Sequence, residues 1–295
     1  MKIRLAENFR AVFYAPFYAT QALGLYAREG VEVEFVTSAA PGDAVAGLLD
    51  GSIDLTWGGP MRVMKAHDVD AGSPLVCFGE VVARDPFYLL GRPDLADFRL
   101  ADLGQLRFAS VSEVPTPWMC LQHDLRLAGT DPLEVPRVAD RTMADNLAAL
   151  REGRLDVVQL FEPFVAQAIR GGFAKILYAA SARGPCVYTS FIATRAGVAA
   201  KRDALAAMVR AIARMQEWVM ARPADDLVAV TAPYFPDLAP ELLADALRRY
   251  GESKVWAVSP DISRAGFARL GESFLSGGAV SRLPSFEACV APPLG

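Results

Sequence analysis

One stretch of the sequence occurs twice, and it determines the fold that we expect. Residues 46–60 read AGLLDGSIDLTWGGP, and residues 148–163 read AALREGRLDVVQLFEP. The two copies align without a gap over their first ten positions. A leucine, an acidic residue, a glycine, an aliphatic residue and an aspartate recur there: Leu48 and Leu150, Asp50 and Glu152, Gly51 and Gly153, Ile53 and Leu155, Asp54 and Asp156.

Each copy predicts a helix, a strand and the start of another helix. The first helix has an apolar face and ends at a glycine that can adopt the left-handed conformation, Gly51 or Gly153. A short buried strand follows, and Pro60 or Pro163 then suits the first turn of the next helix. Two such units, roughly a hundred residues apart, predict two similar α/β lobes in one chain.

The composition is that of a globular protein with a sizeable core. The chain has 295 residues, of which 53% are hydrophobic and 22% are charged, and this is near the length at which one core divides into two. The net charge is −4, and no block of like charges occurs. Because phosphate groups and anionic lipids require clustered basic side chains, we expect neither a nucleic-acid partner nor a membrane surface.

The N-terminal residues carry no recognisable export signal. Residues 1–9, MKIRLAENF, continue directly into a strand pattern, without an apolar segment or a cleavage site. No apolar run has the length of a membrane-spanning helix. Two localisations stay open: the cytoplasm if the chain starts natively at Met1, or the periplasm or membrane surface if an export signal has been removed.

The cysteines and histidines favour neither disulfides nor a metal site. The two histidines, His67 and His123, have no second ligand at zinc spacing. The four cysteines are scattered, with no Cys-x-x-Cys spacing, at Cys77, Cys120, Cys186 and Cys289. We expect four buried or partly buried thiols, no bound metal and no cofactor.

Strand and helix patterns alternate through the first 180 residues, which predicts parallel sheets with helices on their faces. Residues 7–16 are expected to form a loop and the following stretch up to Glu29 one helix, and residues 85–102 are expected to form a loop-rich boundary. The rest of the chain after a return strand at 187–194 is expected to be helical. Strands are expected at 2–5, 31–36, 53–57, 75–82, 106–111, 135–139, 155–160 and 174–180.

This order of elements predicts an α/β fold with two lobes. Residues 1–85 and 190–295 are expected to form the first lobe, and residues 90–185 the second, each with a mostly parallel sheet flanked by helices. Crossings near 83–91 and 181–194 are expected to act as a hinge, with a ligand in the cleft between the lobes.

The candidate ligand-binding residues are those that follow the strands. Ligands of open α/β sheets bind beyond the carboxyl ends of the strands. The loops there contain aromatic rings, which suit a flat ligand, and helix N-termini, which suit an anionic group. Residues 57–59 and 161–162 are expected to face each other across the cleft. The candidates are Asn8, Phe9, Tyr14, Asp43, Trp57, Gly58, Gly59, Arg84, Ser112, Glu113, Trp118, Phe161, Glu162 and Tyr188.

No catalytic residue is predicted. The chain has no Gly-x-Ser-x-Gly elbow and no phosphate-binding loop, and the glycine pair at 58–59 is too short for a dinucleotide fingerprint. Glu113 and Glu162 could act as paired carboxylates across a cleft. We favour the simpler role of hydrogen bonding to a ligand or to the opposite lobe.

Four motifs occur in order between residues 22 and 164, within a resemblance that covers almost the whole chain: residues 22–33 (ALGLYAREGVEV), 48–54 (LLDGSID), 72–76 (GSPLV) and 161–164 (FEPF). Together they resemble the substrate-binding proteins of ABC importers of the nitrate, sulfonate/taurine and thiamine-pyrimidine type. The resemblance implies a periplasmic-binding-protein-like fold of type II. It also implies a monomer that captures a small organic anion or a heteroaromatic molecule and delivers it to an ABC permease.

One branch of this superfamily is an enzyme, which makes the thiamine pyrimidine from bound pyridoxal phosphate and its own histidine. The cysteine-rich run of that branch would fall at residues 184–188, where only Cys186 is present. Its early lysine and histidine are also missing, because residues 58–60 are Gly-Gly-Pro and Lys65 and His67 come later. These differences favour a binding protein. A cytoplasmic enzyme on the same fold, pyrimidine-synthase-like or decarboxylase-like, is the alternative, and the missing export signal motivates it.

Overall fold

The computed structural model describes residues 1–7, 9–37 and 44–294. Asn8, residues 38–43 and Gly295 lie outside the described residues. Within the described ranges, no helix is long and apolar enough to cross a membrane.

The described residues form ten strands and thirteen α-helices. The strands are β1 (Lys2–Glu7), β2 (Glu32–Thr37), β3 (Leu55–Gly58), β4 (Leu75–Val82), β5 (Tyr88–Gly91), β6 (Phe108–Ala109), β7 (Arg137–Val138), β8 (Val157–Leu160), β9 (Lys175–Ala179) and β10 (Thr189–Thr194). The helices are α1 (Ala15–Ala22), α2 (Leu25–Arg28), α3 (Ala44–Asp50), α4 (Met61–Val69), α5 (Thr116–Leu127), α6 (Met143–Arg151), α7 (Phe164–Arg170), α8 (Arg195–Ala200), α9 (Arg202–Ala221), α10 (Ala224–Thr231), α11 (Pro240–Glu252), α12 (Arg264–Ser276) and α13 (Phe286–Cys289).

The strands form two five-stranded sheets with the same plan. The first has the order β2-β1-β3-β10-β4 and the second the order β7-β6-β8-β5-β9. In each sheet the first three strands are parallel, and the fourth, β10 or β5, runs antiparallel to both of its neighbours. We call each sheet with its helices lobe one and lobe two. The expected α/β fold with two mostly parallel sheets is confirmed.

The antiparallel strand of each sheet is the first strand after the chain crosses from the other lobe. The chain leaves lobe one after β4 and enters lobe two at β5, and it returns from β9 to β10. The two crossings contact each other, because the amide of Cys186 donates a hydrogen bond of 2.7 Å to the carbonyl of Ala83. That the lobes move about these crossings, with the residue boundaries given above, stays a prediction.

The repeated stretch has the local structure that its sequence predicts. Helices α3 and α6 are each followed by a glycine in the left-handed region, Gly51 with φ of +78° and Gly153 with φ of +70°. Strands β3 and β8 come next and are buried along their whole length, as expected for strands covered on both faces.

Two expectations about individual elements are wrong. The stretch 85–102 contains β5, which is fully buried and pairs with β8 and β9 inside the second sheet. Its four residues lie between Pro86 and Pro93, so the turn-forming neighbours concealed the strand. The helix expected up to Glu29 is divided into α1 and α2 at Gly24, whose φ of +65° interrupts the helical backbone.

The C-terminal helices pack on both lobes. Helix α9 packs on α1, α2 and β4 of lobe one through its apolar face. Helix α11 contacts α7, and α12 contacts α5, so both reach helices of lobe two. The four cysteines are free and buried, as expected.

Candidate functional site

A cavity of about 50 Å³ lies between the two lobes. Since one water needs about 10–15 Å³, the cavity accommodates a group of a few non-hydrogen atoms. Its walls come from lobe one, from lobe two and from the start of β10. They are formed by Phe9, Phe13, Tyr14, Gly59, Met61, Arg62, Phe87, Val114, Pro115, Thr116, Tyr188 and Thr189.

Two helices from opposite lobes begin at this cavity. Helix α4 begins at Met61 and α5 at Thr116, and Oγ1 of Thr116 lies 3.7 Å from Sδ of Met61. A Cβ at Gly59 would lie 3.5 Å from the carbonyl oxygen of Tyr188 and 4.0 Å from Oγ1 of Thr116, so a larger residue would occupy space between the lobes. The positive ends of both helix dipoles therefore lie next to the cavity, where they favour negative charge.

Aromatic rings from both lobes form most of the apolar wall. The ring centroids of Phe13 and Tyr14 are 4.3 Å apart, and those of Phe9 and Tyr14 are 5.3 Å apart. Tyr188 stands at 90° to Phe13 and also contacts Phe87. Burial raises the pKa of the Tyr188 phenol, so its hydroxyl stays neutral and can donate a hydrogen bond.

Arg62 is the charged side chain among the described residues that line the cavity. A Cβ at Gly58 would lie 2.6 Å from Nη1 of Arg62, so the guanidinium occupies the space that glycine leaves. Burial lowers the pKa of Arg62, and the nearby Tyr14 partly opposes this. A guanidinium in this position can donate hydrogen bonds to an anion in the cavity.

Two buried polar atoms near the start of β10 have no hydrogen-bond partner among the described residues: Nε1 of Trp57 and Oγ1 of Thr189. Thr189 lines the cavity and is 0% exposed. An unpaired buried polar group costs about 1–3 kcal/mol. A bound group that pairs with Thr189 would recover part of this cost.

The structure brings five of the residues chosen from the sequence to the cavity. Phe9, Tyr14, Gly59 and Tyr188 line it directly, and Gly58 lies under the guanidinium of Arg62. Their contact with a ligand stays a prediction. Asn8 and Asp43 lie outside the described residues.

Trp57 has a different environment from the one expected for a wall residue. Its ring is fully buried in lobe one and stacks on Phe17 with centroids 4.5 Å apart and an angle of 10° between the planes. The rings of Tyr14 and Tyr18 also pack against it. It therefore lies behind the first layer of the cavity wall.

The remaining residues chosen from lobe two and the crossings form structural contacts. Trp118 packs in the core of lobe two under the guanidinium of Arg137. Nη1 of Arg84 donates to the carbonyl of Ser181 at 3.2 Å and so joins the two crossings. Ser112 and Glu113 bind the start of α6: Oγ of Ser112 donates to the carbonyl of Arg141 just before the helix, and Oε1 of Glu113 accepts from the amide of Met143, its first residue, at 2.8 Å.

Phe161 and Glu162 lie next to the cavity residues but do not line the cavity. The Phe161 ring contacts the rings of Phe13 and Phe87. Glu162 pairs with Arg249 of α11 and accepts from the amide of Ala166 at 2.8 Å. Glu113 and Glu162 thus bind separate helices and share no partner among the described residues.

The sequence-based choice missed several wall residues. Arg62 had a recognisable signal, because a basic residue in the first turn of a helix opposes the helix dipole. Phe87 and Thr189 have no recognisable signal in the sequence, since they lie in the crossings. Only the assembly of the two lobes brings them to one cavity. Phe13 and Thr116 follow the strands expected at 2–5 and 106–111, as the chosen residues around them do, but they are not among the candidates.

Solved structures with the same fold include two sulfonate-binding proteins. The periplasmic aliphatic sulphonate binding protein SsuA from Escherichia coli has a TM-score of 0.80 and 17% identity, over 99% of this chain and 92% of that one. The alkanesulfonate-binding protein SsuA from Xanthomonas axonopodis pv. citri, bound to MOPS, has a TM-score of 0.71 and 17% identity, over 99% and 97%. At this identity the likeness establishes the fold.

The sequence is also similar to YtlA of Bacillus subtilis (strain 168), whose name describes it as a candidate binding protein. The two are 25% identical over 262 residues, which cover 88% of this chain and 78% of YtlA. Residues 12–226 match the family described as NMT1/THI5 like, which confirms the resemblance seen in the motifs. The chain therefore belongs to the NMT1/THI5-like family.

Proposed function

We propose that this protein is a solute-binding protein that captures a small organic anion or a heteroaromatic molecule between its lobes for ABC-type import. The observation that supports this most directly is the cavity, whose walls come from both lobes and from the second crossing. A ligand there would contact both lobes at once and would stabilise their closed arrangement.

The relatives support the same function. YtlA is named as a candidate binding protein, and the two SsuA proteins are named for sulfonates. By analogy, an ABC permease would receive the ligand from this chain, and the chain would act as a monomer. Light scattering of the purified protein measures its mass in solution and so tests whether it is a monomer.

The described cavity walls offer little for catalysis. Among the described residues that line the cavity, there is no cysteine, histidine, lysine or carboxylate. The hydroxyl groups of the lining belong to Tyr14, Thr116, Tyr188 and Thr189, and a hydroxyl nucleophile requires an adjacent general base, which is usually a histidine, a lysine or a carboxylate. This composition favours binding over the enzymatic alternative.

A thermal-shift screen with pyrimidines, sulfonates and aromatic acids tests the proposal. A ligand at a hundredfold excess over its Kd adds about 2.7 kcal/mol of stability, so a bound compound raises the melting temperature measurably. Each stabilising compound is then incubated with the protein and followed by NMR. Stabilisation without turnover is the expected result, and conversion of a compound into product would contradict it, as would pyridoxal absorbance in the purified protein.

A further inference from the structure

We propose that the ligand carries a single oxyanion group, a carboxylate or a sulfonate, and that Arg62 and Thr189 bind that group. This inference rests on the proposed binding function and specifies the chemistry of its ligand. Neither residue was selected from the sequence, and both line the cavity between the lobes.

Arg62 provides the positive charge. Its guanidinium lies over Gly58 and beside the cavity, and the other described lining residues are uncharged. A guanidinium binds carboxylate and sulfonate oxygens through two parallel hydrogen bonds. The two-pronged geometry of the guanidinium and the small volume of the cavity, about 50 Å³, both suit one carboxylate or sulfonate group.

Thr189 provides a hydroxyl whose hydrogen-bonding capacity is unused among the described residues. Its side chain is 0% exposed, and Oγ1 has no partner in that part of the chain. Buried hydroxyls are normally hydrogen-bonded. An oxyanion in the cavity would accept a hydrogen bond from Oγ1 and so remove the free-energy cost of keeping this hydroxyl buried without a partner.

The start of α4 makes the electrostatic potential in the cavity more positive. This nine-residue helix begins at Met61, and both Met61 and Arg62 line the cavity. The positive end of the helix dipole favours an anion within about one turn. The helix start, the guanidinium and the unpaired hydroxyl therefore all favour negative charge in one small space.

The size of the cavity limits what it encloses. A volume of about 50 Å³ fits the few atoms of a carboxylate or sulfonate, and a complete aromatic ring requires the lobes to separate. The rings of Phe9, Tyr14 and Tyr188 would then contact the body of the ligand. The charged group is thus the part that the closed structure accommodates directly.

Calorimetric titrations with matched anionic and neutral probes test the oxyanion. Benzoate is compared with benzamide, and benzenesulfonate with benzenesulfonamide, since each pair has nearly the same shape. We expect each anion to bind at least about tenfold more tightly than its amide, as a charged hydrogen-bonded pair contributes about 1.5–3 kcal/mol. The difference in affinity between benzoate and benzenesulfonate shows which of the two oxyanions the cavity prefers.

Variants of the two residues test the assignment. Arg62→Met is expected to weaken benzoate binding by about 10- to 100-fold and benzamide binding little, while Arg62→Lys keeps part of the affinity. Thr189→Val is expected to weaken benzoate about 3- to 10-fold, and Thr189→Ser to restore it. Arg28→Met, which removes an exposed arginine outside the cavity, is the control and leaves affinity unchanged.

Three results would overturn the oxyanion assignment: equal affinity for the anions and their amides, undiminished benzoate binding by Arg62→Met, or no binding of either anion. Mass spectrometry of small molecules released by denaturing freshly purified protein separates the two proposals. A neutral molecule released in stoichiometric amount overturns the oxyanion but supports the binding function. No released molecule together with no bound probe contradicts both.

Discussion

Asp54 and Asp156 occupy equivalent places in the two lobes and make equivalent contacts. Oδ2 of Asp54 accepts from the backbone amide of Arg4 at 2.8 Å, and Oδ2 of Asp156 accepts from the backbone amide of Arg107 at 2.9 Å. Each carboxylate therefore ties the end of the repeated helix–glycine unit to the neighbouring parallel strand, within β1 at Arg4 and just before β6 at Arg107. The repeated aspartate has a structural role in both lobes.

Asp156→Asn is expected to destabilise the protein by about 2 kcal/mol at pH 7. Hydrogen bonds from the Arg107 guanidinium lower the pKa of Asp156 from 3.8 to about 2, and its side chain is only 10% exposed. A lowered pKa in the folded state contributes stability above the unfolded pKa, and this contribution is lost as the pH falls from about 4 to about 2. Urea unfolding between pH 3 and pH 7 measures the difference.

The matched control is Asp94→Asn, because Asp94 pairs with Arg92 but has a side chain that is 73% exposed. Its expected effect is below about 0.5 kcal/mol at every pH. A difference between wild type and Asp156→Asn that does not shrink toward acid pH would contradict the role assigned to this pair.

Gly58 is expected to position the guanidinium of Arg62. In Gly58→Ala the new Cβ meets Nη1 of Arg62 at 2.6 Å. Because that atom is at the end of a flexible side chain, the fold persists while the guanidinium moves. We expect benzoate affinity to fall about tenfold, from a weakened charged hydrogen bond, with a melting temperature close to that of wild type.

Gly104→Ala is the control for this substitution, because a Cβ at Gly104 meets nothing within 4 Å. Its benzoate affinity should equal that of wild type in the same titration. Unchanged affinity in Gly58→Ala would mean that the guanidinium can bind from more than one position.

At the scale of elements, a buried ionic cluster joins the two crossings to α5. Nη1 of Arg183, in the second crossing, donates to Oδ2 of Asp85 in the first crossing at 2.9 Å. Nε of the same arginine donates to Oδ1 of Asp124 on α5 at 2.8 Å. The side chains of all three are at most 7% exposed. The cluster thus fixes the crossings relative to a helix whose first turn lines the cavity.

Arg183→Met is expected to destabilise the protein by about 3–5 kcal/mol, because it leaves two carboxylates buried without their cation. Urea unfolding at pH 7 measures the loss. Arg126→Met, which removes an exposed arginine on the same helix α5, is expected to cost less than about 1 kcal/mol.

Replacing the whole cluster provides a further test in case Arg183→Met does not fold. The triple variant Asp85→Asn, Asp124→Asn, Arg183→Met contains no buried charge at this place and should recover part of the lost stability. A triple variant no more stable than Arg183→Met alone would show that the packing of the arginine matters more than its charge.

At the scale of the whole molecule, two sheets of the same order face one cavity, and each receives its antiparallel strand from a crossing. The contact between Thr116 and Met61 joins the helix starts of the two lobes beside the cavity. If ligand exchange requires the lobes to separate, a covalent bond at this contact should prevent it.

The double variant Met61→Cys, Thr116→Cys tests this with a disulfide or a short bismaleimide. The native cysteines are all buried, so the new thiols react selectively. We expect benzoate association, followed by stopped-flow tryptophan fluorescence, to slow at least about tenfold in the cross-linked form. The same variant in its reduced form is the control, and equal rates in the two forms would contradict lobe separation.

Much of each lobe could be predicted because its signals are local. The left-handed glycines Gly51 and Gly153, and the N-cap of α6, where Oγ1 of Thr142 accepts from the amide of Asp145, depend on residues within one or two turns. Strand β5 was missed because four residues between prolines carry too little pattern. Its place inside the second sheet depends on pairing with β8 and β9, which are far away in sequence.

The two-lobed α/β scaffold could be predicted from local sequence patterns, because helix ends, buried strands and their repetition each depend on residues close together in the chain. Which residues form the cavity depends instead on contacts that arise only in the folded protein. Arg62 lies against Gly58, Gly59 approaches Tyr188, and Thr116 meets Met61. Two of these three contacts join residues more than fifty positions apart, and such contacts exist only once both crossings have brought the lobes together.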